Sequence, residues 1–321
     1  MTEQHAKIKT QRPVSAYLIT GLLIISLLFV ALTFYFLASN ARHEQEWITQ
    51  VTNVQVTSQQ LAKSAGEAAS GNLDAFLELR NSRDETVRAM NKLRIGSSEI
   101  NLPPTPVAVE VPMKQLGLTW DRMSKNSLSI LGREKLILEL ASAHNIIQEN
   151  IPGIQKHTDA AVQALTQSGA PTNQVVFASR QLVLADRILR RVSEVLQGGS
   201  NAVSAAENLG KDRNLLERVL TALLRGNTSL GITQVRNTEA LQALGRARSL
   251  FETIKPQIQA ILESSNDLFE VRGAADEIFL DSRDVFEEAA KLKTAIAQLP
   301  QSRLWPSPIA AGIGLAVMIF L

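Results

Sequence analysis

The sequence predicts an all-α, membrane-anchored protein in which two tandem modules, each resembling a four-helix bundle, lie between two transmembrane helices. Apolar stretches without charge lie near the start and at the end of the 321-residue chain. The part between them is rich in residues that favour helices, and only 5% of the chain is aromatic. Its apolar residues recur at three- and four-residue steps, as in helices with one buried face.

The first apolar stretch predicts a membrane span. No charged residue occurs from Pro13 to Ala41, and a helix needs about 20 apolar residues to cross the hydrocarbon core. We therefore expect residues 14–38 to form the first transmembrane helix. The alternative is a cleaved signal peptide ending near Ser39, but such peptides have an apolar core of only about 7–15 residues.

The charges that flank this span predict its orientation. Three basic residues but only one acid lie within residues 1–13, whereas Arg42 is followed closely by two glutamates. Basic residues next to a span stay in the cytoplasm. We therefore expect residues 1–13 in the cytoplasm and residues 42–303 on the other side of the membrane.

The second apolar stretch carries no charge from Leu304 to Leu321, and the sequence stops inside it. We expect residues 304–321 to be the start of a second transmembrane helix that is truncated here. The chain is then the sensor portion of a larger receptor, and the part that carries its output follows the second helix.

An internal repeat organises the part between the two stretches. Its matches are collinear, and their offset drifts only where loops are expected. Residues 60–71 align with 187–198 at an offset of 127, Arg83-Asp84 with Lys211-Asp212 at 128, and Trp120 with Phe251 at 131. The sequence therefore predicts a first module over residues 42–168 and a second over residues 169–303.

Helix-breaking residues divide the first module into four helices. Gly71-Asn72 ends the first of them. Four prolines exclude a regular helix throughout residues 96–112. The expected helices A to D cover about residues 42–70, 73–93, 113–132 and 133–167.

The second module repeats this plan after a turn at residues 169–171. Gly198-Gly199 and Gly226 are the expected stops, and Asn266 is the expected N-cap of the last helix. The expected helices A to D cover about residues 172–197, 201–225, 234–264 and 266–298.

The sequence carries no constellation that is typical of catalysis or of a cofactor. Cysteine is absent, which excludes disulfides and thiolate metal sites. The four histidines do not pair at helical ligand spacing, and no glycine-rich phosphate loop occurs. A net charge of only +2 argues against a nucleic-acid partner. We therefore expect neither an enzyme nor a cofactor.

Arginines on helix A of the second module are the best candidates for ligand binding. Arg180 and Arg187 are seven positions apart and therefore lie on one helical face. A guanidinium binds carboxylates and other planar anions through paired hydrogen bonds. The alternative is that the arginines of this helix are solvated or paired with Asp186 and Glu194.

Two stretches at these positions carry a family resemblance. Residues 58–71 are SQQLAKSAGEAASG, and residues 179–189 are SRQLVLADRIL. Both resemble the signature helix of the PilJ-type transducers, the methyl-accepting chemotaxis proteins of type IV pilus systems. Residues 101–106 and 266–272 resemble that family as well, and the resemblance covers about residues 42–303.

The resemblance implies a homodimeric sensor in the inner membrane with residues 42–303 in the periplasm. It also implies a cytoplasmic HAMP linker and coiled-coil domain that control a histidine kinase through an adaptor, and so regulate pilus-driven twitching motility. The stimulus stays open between a small anion, the pilin subunit and membrane tension. In similar nitrate and nitrite receptors an arginine of the signature helix holds the anion. Arg180 and Arg187 match that pattern, whereas the first module has Gln55 and Gln60 where the family usually has arginine.

Two other classes of function remain open. The same sensor could belong to a nitrate- or nitrite-type histidine kinase, or the doubled rod could be a non-signalling scaffold of an envelope complex. The residues that follow Leu321 discriminate between these classes. Heptads with Glu and Gln methylation pairs indicate a chemoreceptor, a phosphoacceptor histidine indicates a kinase, and a short tail favours a scaffold.

Overall fold

The computed structural model describes residues 14–302, 309 and 312–316, with side chains from residue 17 onward. These ranges are helical and contain no strand, which confirms the predicted all-α class. The α-helices in the described residues are α1 (Val14–Ala69), α2 (Leu73–Ile95), α3 (Glu110–Leu131), α4 (Glu134–Gln167), α5 (Thr172–Gln197), α6 (Ala202–Arg225), α7 (Thr238–Glu263) and α8 (Ser265–Ser302). Short 3₁₀ helices cover Val107–Val109 and Thr228–Leu230.

Helix α1 contains the predicted first span. Among the described residues it is the one helix that is long and apolar enough to cross a membrane, judged by length and composition. Large apolar side chains such as Leu28 and Tyr35 are exposed along this part of α1. Most of the second predicted span, residues 304–321, lies outside the described residues. The part that is described lies beside α1, where the Ser26 Oγ donates a hydrogen bond of 3.2 Å to the Gly314 carbonyl.

Glycine turns end the helices where the sequence predicted them. Gly71 and Gly198 have φ angles of 90° and 77°, a region that favours glycine over residues with a side chain. Gly169, at φ 63°, lies in the predicted turn between α4 and α5. Helix α5 has the bounds that the pattern predicted.

The predicted N-cap at Asn266 is wrong. Helix α8 already begins at Ser265, and the Leu268 N–H donates to the Ser264 carbonyl at 3.0 Å, so Asn266 lies inside the first turn. The cap that does form is at the start of α7. The Asn237 side chain accepts a bond of 2.8 Å from the Ala240 N–H, and α7 therefore begins a few residues later than predicted.

The same hydrogen-bonded loop occurs twice in the chain. After α2, Ser97 and Leu102 exchange both of their backbone bonds, and after α6, Asn227 and Ile232 do the same. The Thr105 N–H then donates to Leu93 as the Val235 N–H donates to Leu223, both at 3.0 Å. Every residue of the second loop follows its counterpart by 130 positions, an offset that agrees with the predicted repeat.

Internal contacts divide the chain into two compact units. The first comprises Met1–Val56, Thr86–Leu118 and Val285–Leu321. In its described part, the buried apolar faces of its helices include Val51 and Leu292.

The second unit comprises Thr57–Glu85 and Thr119–Asp284. Within it, α4, α5, α6 and α7 pack against one another in a four-helix bundle around an apolar core that includes Ile147, Leu209 and Phe251. Helix α4 packs on both α5 and α7. Helices on both sides of the predicted module boundary, between residues 168 and 169, therefore share one core. The boundary stays a prediction that rests on the sequence repeat.

Candidate functional site

The arginines of α5 surround one buried carboxylate of α6. Arg187 donates to Asp212 through Nε at 2.8 Å and Nη2 at 2.5 Å. The Nη1 of Arg191 bonds to the same carboxylate and to the Asn208 carbonyl at 2.8 Å. The Asp212 side chain is only 6% exposed. An anion that uses this edge of Arg187 must therefore compete with an internal partner that is already in place.

Arg180 lies on the same side of α5 as predicted and has a different environment. It is exposed, and its Cζ lies 6.0 Å from the centre of the Phe177 ring, within the range of a cation–π contact. Arg180 and Arg187 both line a groove of about 300 Å³, which Phe177 and Leu215 also line. The structure thus brings the two predicted arginines to one groove. Their role in binding stays a prediction.

The two glutamines singled out in the first module are arranged differently. Gln55 is half-buried on α1, and its amide Nε2 donates to the Phe286 carbonyl at 3.1 Å. Gln60 is exposed. Because Gln60 replaces Arg187 in the repeat, Asp84 pairs instead with the adjacent Arg83, at 2.9 Å. Gln60 on α1 has no charge with which to pair with Asp84. The first module therefore lacks the ion pair that Arg187 and Asp212 form in the second.

A second polar site lies in the second unit, at residues that the sequence did not single out as ligand-binding. A cavity of about 490 Å³ opens between the turn after α1, the first third of α4, the end of α5 and the start of α8. We call it the Arg272 cavity. Its polar lining consists of Ser70, Asn72, His144, Asn145, Ser193, Gln197 and Arg272.

Arg272 is half-buried in this cavity and bonds to the ends of two helices. Its Nε donates to the Leu196 carbonyl at 2.9 Å, and its Nη1 donates to the Ser70 Oγ at 3.0 Å. Burial lowers the pKa of Arg272 from its ordinary value, and the charge of Asp276 only partly opposes this. Sequence spacing could not reveal the cavity, because its lining comes from four helices that are far apart along the chain.

The remaining chemistry of the site is that of neutral hydrogen-bonding groups. Burial lowers the pKa of His144, and its Nε2 lies 3.4 Å from the Ser193 Oγ. In the part of the chain that the structure describes, no cluster of histidine and acidic side chains could hold a metal ion. The two arginine sites therefore suit anions rather than cations.

Comparison with known proteins gives consistent matches. Residues 36–145 match the family model of the N-terminal region of type IV pili methyl-accepting chemotaxis transducers, PilJ. Protein PilJ of Pseudomonas aeruginosa is 37% identical over 292 residues, which are 90% of this chain and 43% of PilJ. AlkN of Alcanivorax borkumensis, whose name assigns it to methyl-accepting chemotaxis, is 36% identical over 306 residues, 94% of this chain and 44% of that protein.

The chain thus spans less than half the length of the curated relatives it matches. The matches nevertheless cover nearly all of the chain, including both predicted modules. Over the length that it spans, these matches confirm the predicted resemblance of the chain to the PilJ-type transducers.

Proposed function

We propose that the chain is the sensing portion of a chemotaxis-type transducer that regulates type IV pilus twitching motility. The observation that carries this proposal is the similarity to PilJ over 90% of the chain. The names of both relatives favour this class over a sensor kinase and over an envelope scaffold. The proposed role needs no catalysis by this portion.

The proposed arrangement follows the sequence prediction. Residues 42–303 lie in the periplasm as two modules, the chain forms a homodimer, and two spans anchor it in the inner membrane. An adaptor and a histidine kinase then act on the cytoplasmic part. Supporting this, α1 continues without a break from its apolar part to Ala69, so a single helix of about 84 Å joins the span to the folded part.

The signal in this proposal is a shift between two arrangements of the helices. A stimulus changes their populations only if it binds one arrangement better than the other, and a coupling of about 1–3 kcal/mol is typical. Because α1 contains no proline, a small rotation or slide at its folded end is passed along the helix instead of being absorbed at a kink.

The proposed stimulus is a small anion or the pilin subunit. For an anion, we propose binding at the groove that Arg180 and Arg187 line. Arg180 contributes its charge directly, whereas Arg187 must first be released from Asp212. Neither Gln55 nor Gln60 brings a charge, so we expect the first module to contribute at most hydrogen bonds.

A chimera tests the transducer role. Residues 1–321 replace the aligned N-terminal part of Pseudomonas PilJ, and the chimera is produced in a strain that lacks PilJ. We expect twitching motility to return to at least half of the wild-type zone, because the replaced part has the same fold and connections. A chimera that reaches the membrane at wild-type levels but restores no motility contradicts the proposal.

A further inference from the structure

We propose that the Arg272 cavity binds a small organic carboxylate. Arginine is the side chain best suited to hold a carboxylate, because its planar fork matches the two oxygens. The inference concerns binding alone and does not rest on the proposed transducer role, so a chimera without activity leaves it unaffected.

In the part of the chain that the structure describes, the Arg272 guanidinium forms no direct ion pair, and the charge of Asp276 acts on it from further away. Two other arginines pair with carboxylates of α8: Arg122 with Asp281 at 2.7 Å, and Arg133 with Asp267 at 3.1 Å. Among the described residues, no acidic side chain lies within 4.0 Å of the Arg272 guanidinium. A half-buried charge without a directly bonded counter-ion is costly, and a bound carboxylate would supply a direct partner.

Free hydrogen-bond donors surround this charge. A guanidinium has five N–H donors. Within the described residues, the hydrogen-bond acceptors of Arg272 are the Leu196 carbonyl and the Ser70 hydroxyl. The amides of Asn145 and Gln197 line the same cavity. Together they can satisfy the several lone pairs of a carboxylate.

The shape of the cavity fits an organic ligand better than a bare inorganic anion. A volume of about 490 Å³ lies within the range of pockets for small molecules. Ile137, Leu140 and Leu268 form an apolar part of the lining. A carboxylate with a short carbon chain can therefore bind its charged end at Arg272 and pack its carbon atoms on this wall.

Glycine at two turns keeps the cavity walls close together. A Cβ at Gly198 would lie 2.9 Å from the Arg272 Cγ, and one at Gly71 would lie 2.5 Å from the Ala141 Cβ. Both glycines hold positive φ angles, and they occupy equivalent positions of the sequence repeat. Gly71 thus lies close to Ala141 on α4, and Gly198 lies close to Arg272 on α8. Of these two neighbouring residues, Arg272 is the charged one.

Thermal unfolding of the purified full chain in detergent tests the proposal. The probes are sodium propionate, lactate, succinate and malate, each at 10 mM, with sodium chloride at the same ionic strength as the reference. We expect at least one carboxylate to raise Tm by about 2–4 °C, because a ligand that binds only the folded state stabilises it. No rise above the chloride reference with any of the four overturns the proposal.

Two variants separate the Arg272 cavity from the groove at α5. We expect Arg272→Gln to abolish the rise and Arg187→Gln, the matched control, to retain it. Should Arg272→Gln fail to fold, Asn145→Leu replaces it, since this change removes a donor and fills the cavity without touching the bonds to Leu196 and Ser70. A rise that survives both cavity variants, or that Arg187→Gln alone removes, overturns the assignment.

A different observation carries a second proposal: we propose that the loop between α2 and α3 lies in the membrane surface. Large apolar side chains at its two ends point to this. Ile95, Val107 and Val111 are 76%, 82% and 73% exposed, and Ile100 within the loop is exposed as well. Several large apolar residues exposed within one short segment point to an interaction surface.

The first unit places this loop beside the end of the candidate span. His43 lines one depression together with residues 95–98 and 101–103 of the loop. The Trp47 Nε1 donates to the Pro103 carbonyl at 2.9 Å. His43 follows Ala41, the last residue of the uncharged stretch, by two positions, which is about 3 Å along a helix axis. At this position, the lipid bilayer is the partner that covers the exposed apolar side chains.

The second copy of the loop serves as an internal comparison. At the positions equivalent to Ile95 and Val107 it has Arg225 and Asn237. Its leucines, Leu230 and Leu241, are partly buried and pack against the core of their own unit. The backbone bonds of the loop therefore do not require exposed apolar residues, and the first loop carries them for another reason.

Depth-dependent quenching tests the membrane contact. Because the chain has no cysteine, a single one can be introduced at an exposed position and labelled with a fluorophore. The full chain is placed in nanodiscs of phosphatidylcholine and phosphatidylglycerol at 3:1, with and without a nitroxide on the lipid headgroup. We expect the label at Ile95→Cys to be quenched at least twofold more than the label at Arg225→Cys, the equivalent exposed position of the second loop. Equal quenching at the two sites, or failure of the chain to enter nanodiscs, overturns the proposal.

Discussion

Replacing Asp212 by alanine is expected to destabilise the folded chain by about 2–4 kcal/mol. The carboxylate is buried and accepts hydrogen bonds from Arg187 and Arg191. Its removal leaves two guanidinium groups without their acceptor. The loss is smaller than for a fully buried pair, because the Arg187 side chain is 41% exposed and regains water. Chemical unfolding of the chain in detergent, followed by circular dichroism, measures this loss of stability.

The repeat supplies a matched control for this prediction. Asp84 is the equivalent of Asp212, but its side chain is 49% exposed and pairs with the adjacent Arg83. We expect Asp84→Ala to cost less than about 1 kcal/mol, as for other surface ion pairs. Equal losses for the two aspartates contradict the view that burial makes the α5–α6 pair important.

Replacing Phe251 by alanine is expected to cost about 3–5 kcal/mol, because it leaves a cavity in the core. Phe251 on α7 is fully buried in the apolar cluster of the second unit. The same unfolding measurement applies. Phe279→Ala, at a side chain that is 61% exposed on α8, is the control and should change stability by less than about 0.5 kcal/mol. A small effect at Phe251 would show that the bundle refills the space.

The sequence predicted most helices because their signals are local. Glycine at a positive φ angle ends α1 and α5 at the predicted places, since few other residues adopt that geometry without strain. The Asn266 prediction failed for the opposite reason. Asparagine is a good N-cap wherever the chain enters a helix, but α8 already starts at Ser265, where the Ser264 carbonyl accepts the first backbone bond. Asn237 has the capping role at α7.

The candidate sites were less predictable, since their partners are distant in sequence. The seven-residue spacing correctly placed Arg180 and Arg187 at one groove. It could not show that Asp212, on another helix, already binds Arg187. Arg272 belongs to a stretch that resembles the family, yet its place in a cavity lined by four helices is known only from the assembled structure.

The packing of α4 against α7 has a consequence for how the chain could be shortened. The bundle of α4 to α7 is a continuous insertion between α3 and α8, and its two ends meet, since Arg133 before α4 bonds to Asp267 at the start of α8. Excision of residues 134–263 with a short linker would therefore reconnect α3 to α8 over a small gap. The shortened polypeptide would keep α1, α2, α3 and α8 together with the first copy of the hydrogen-bonded loop.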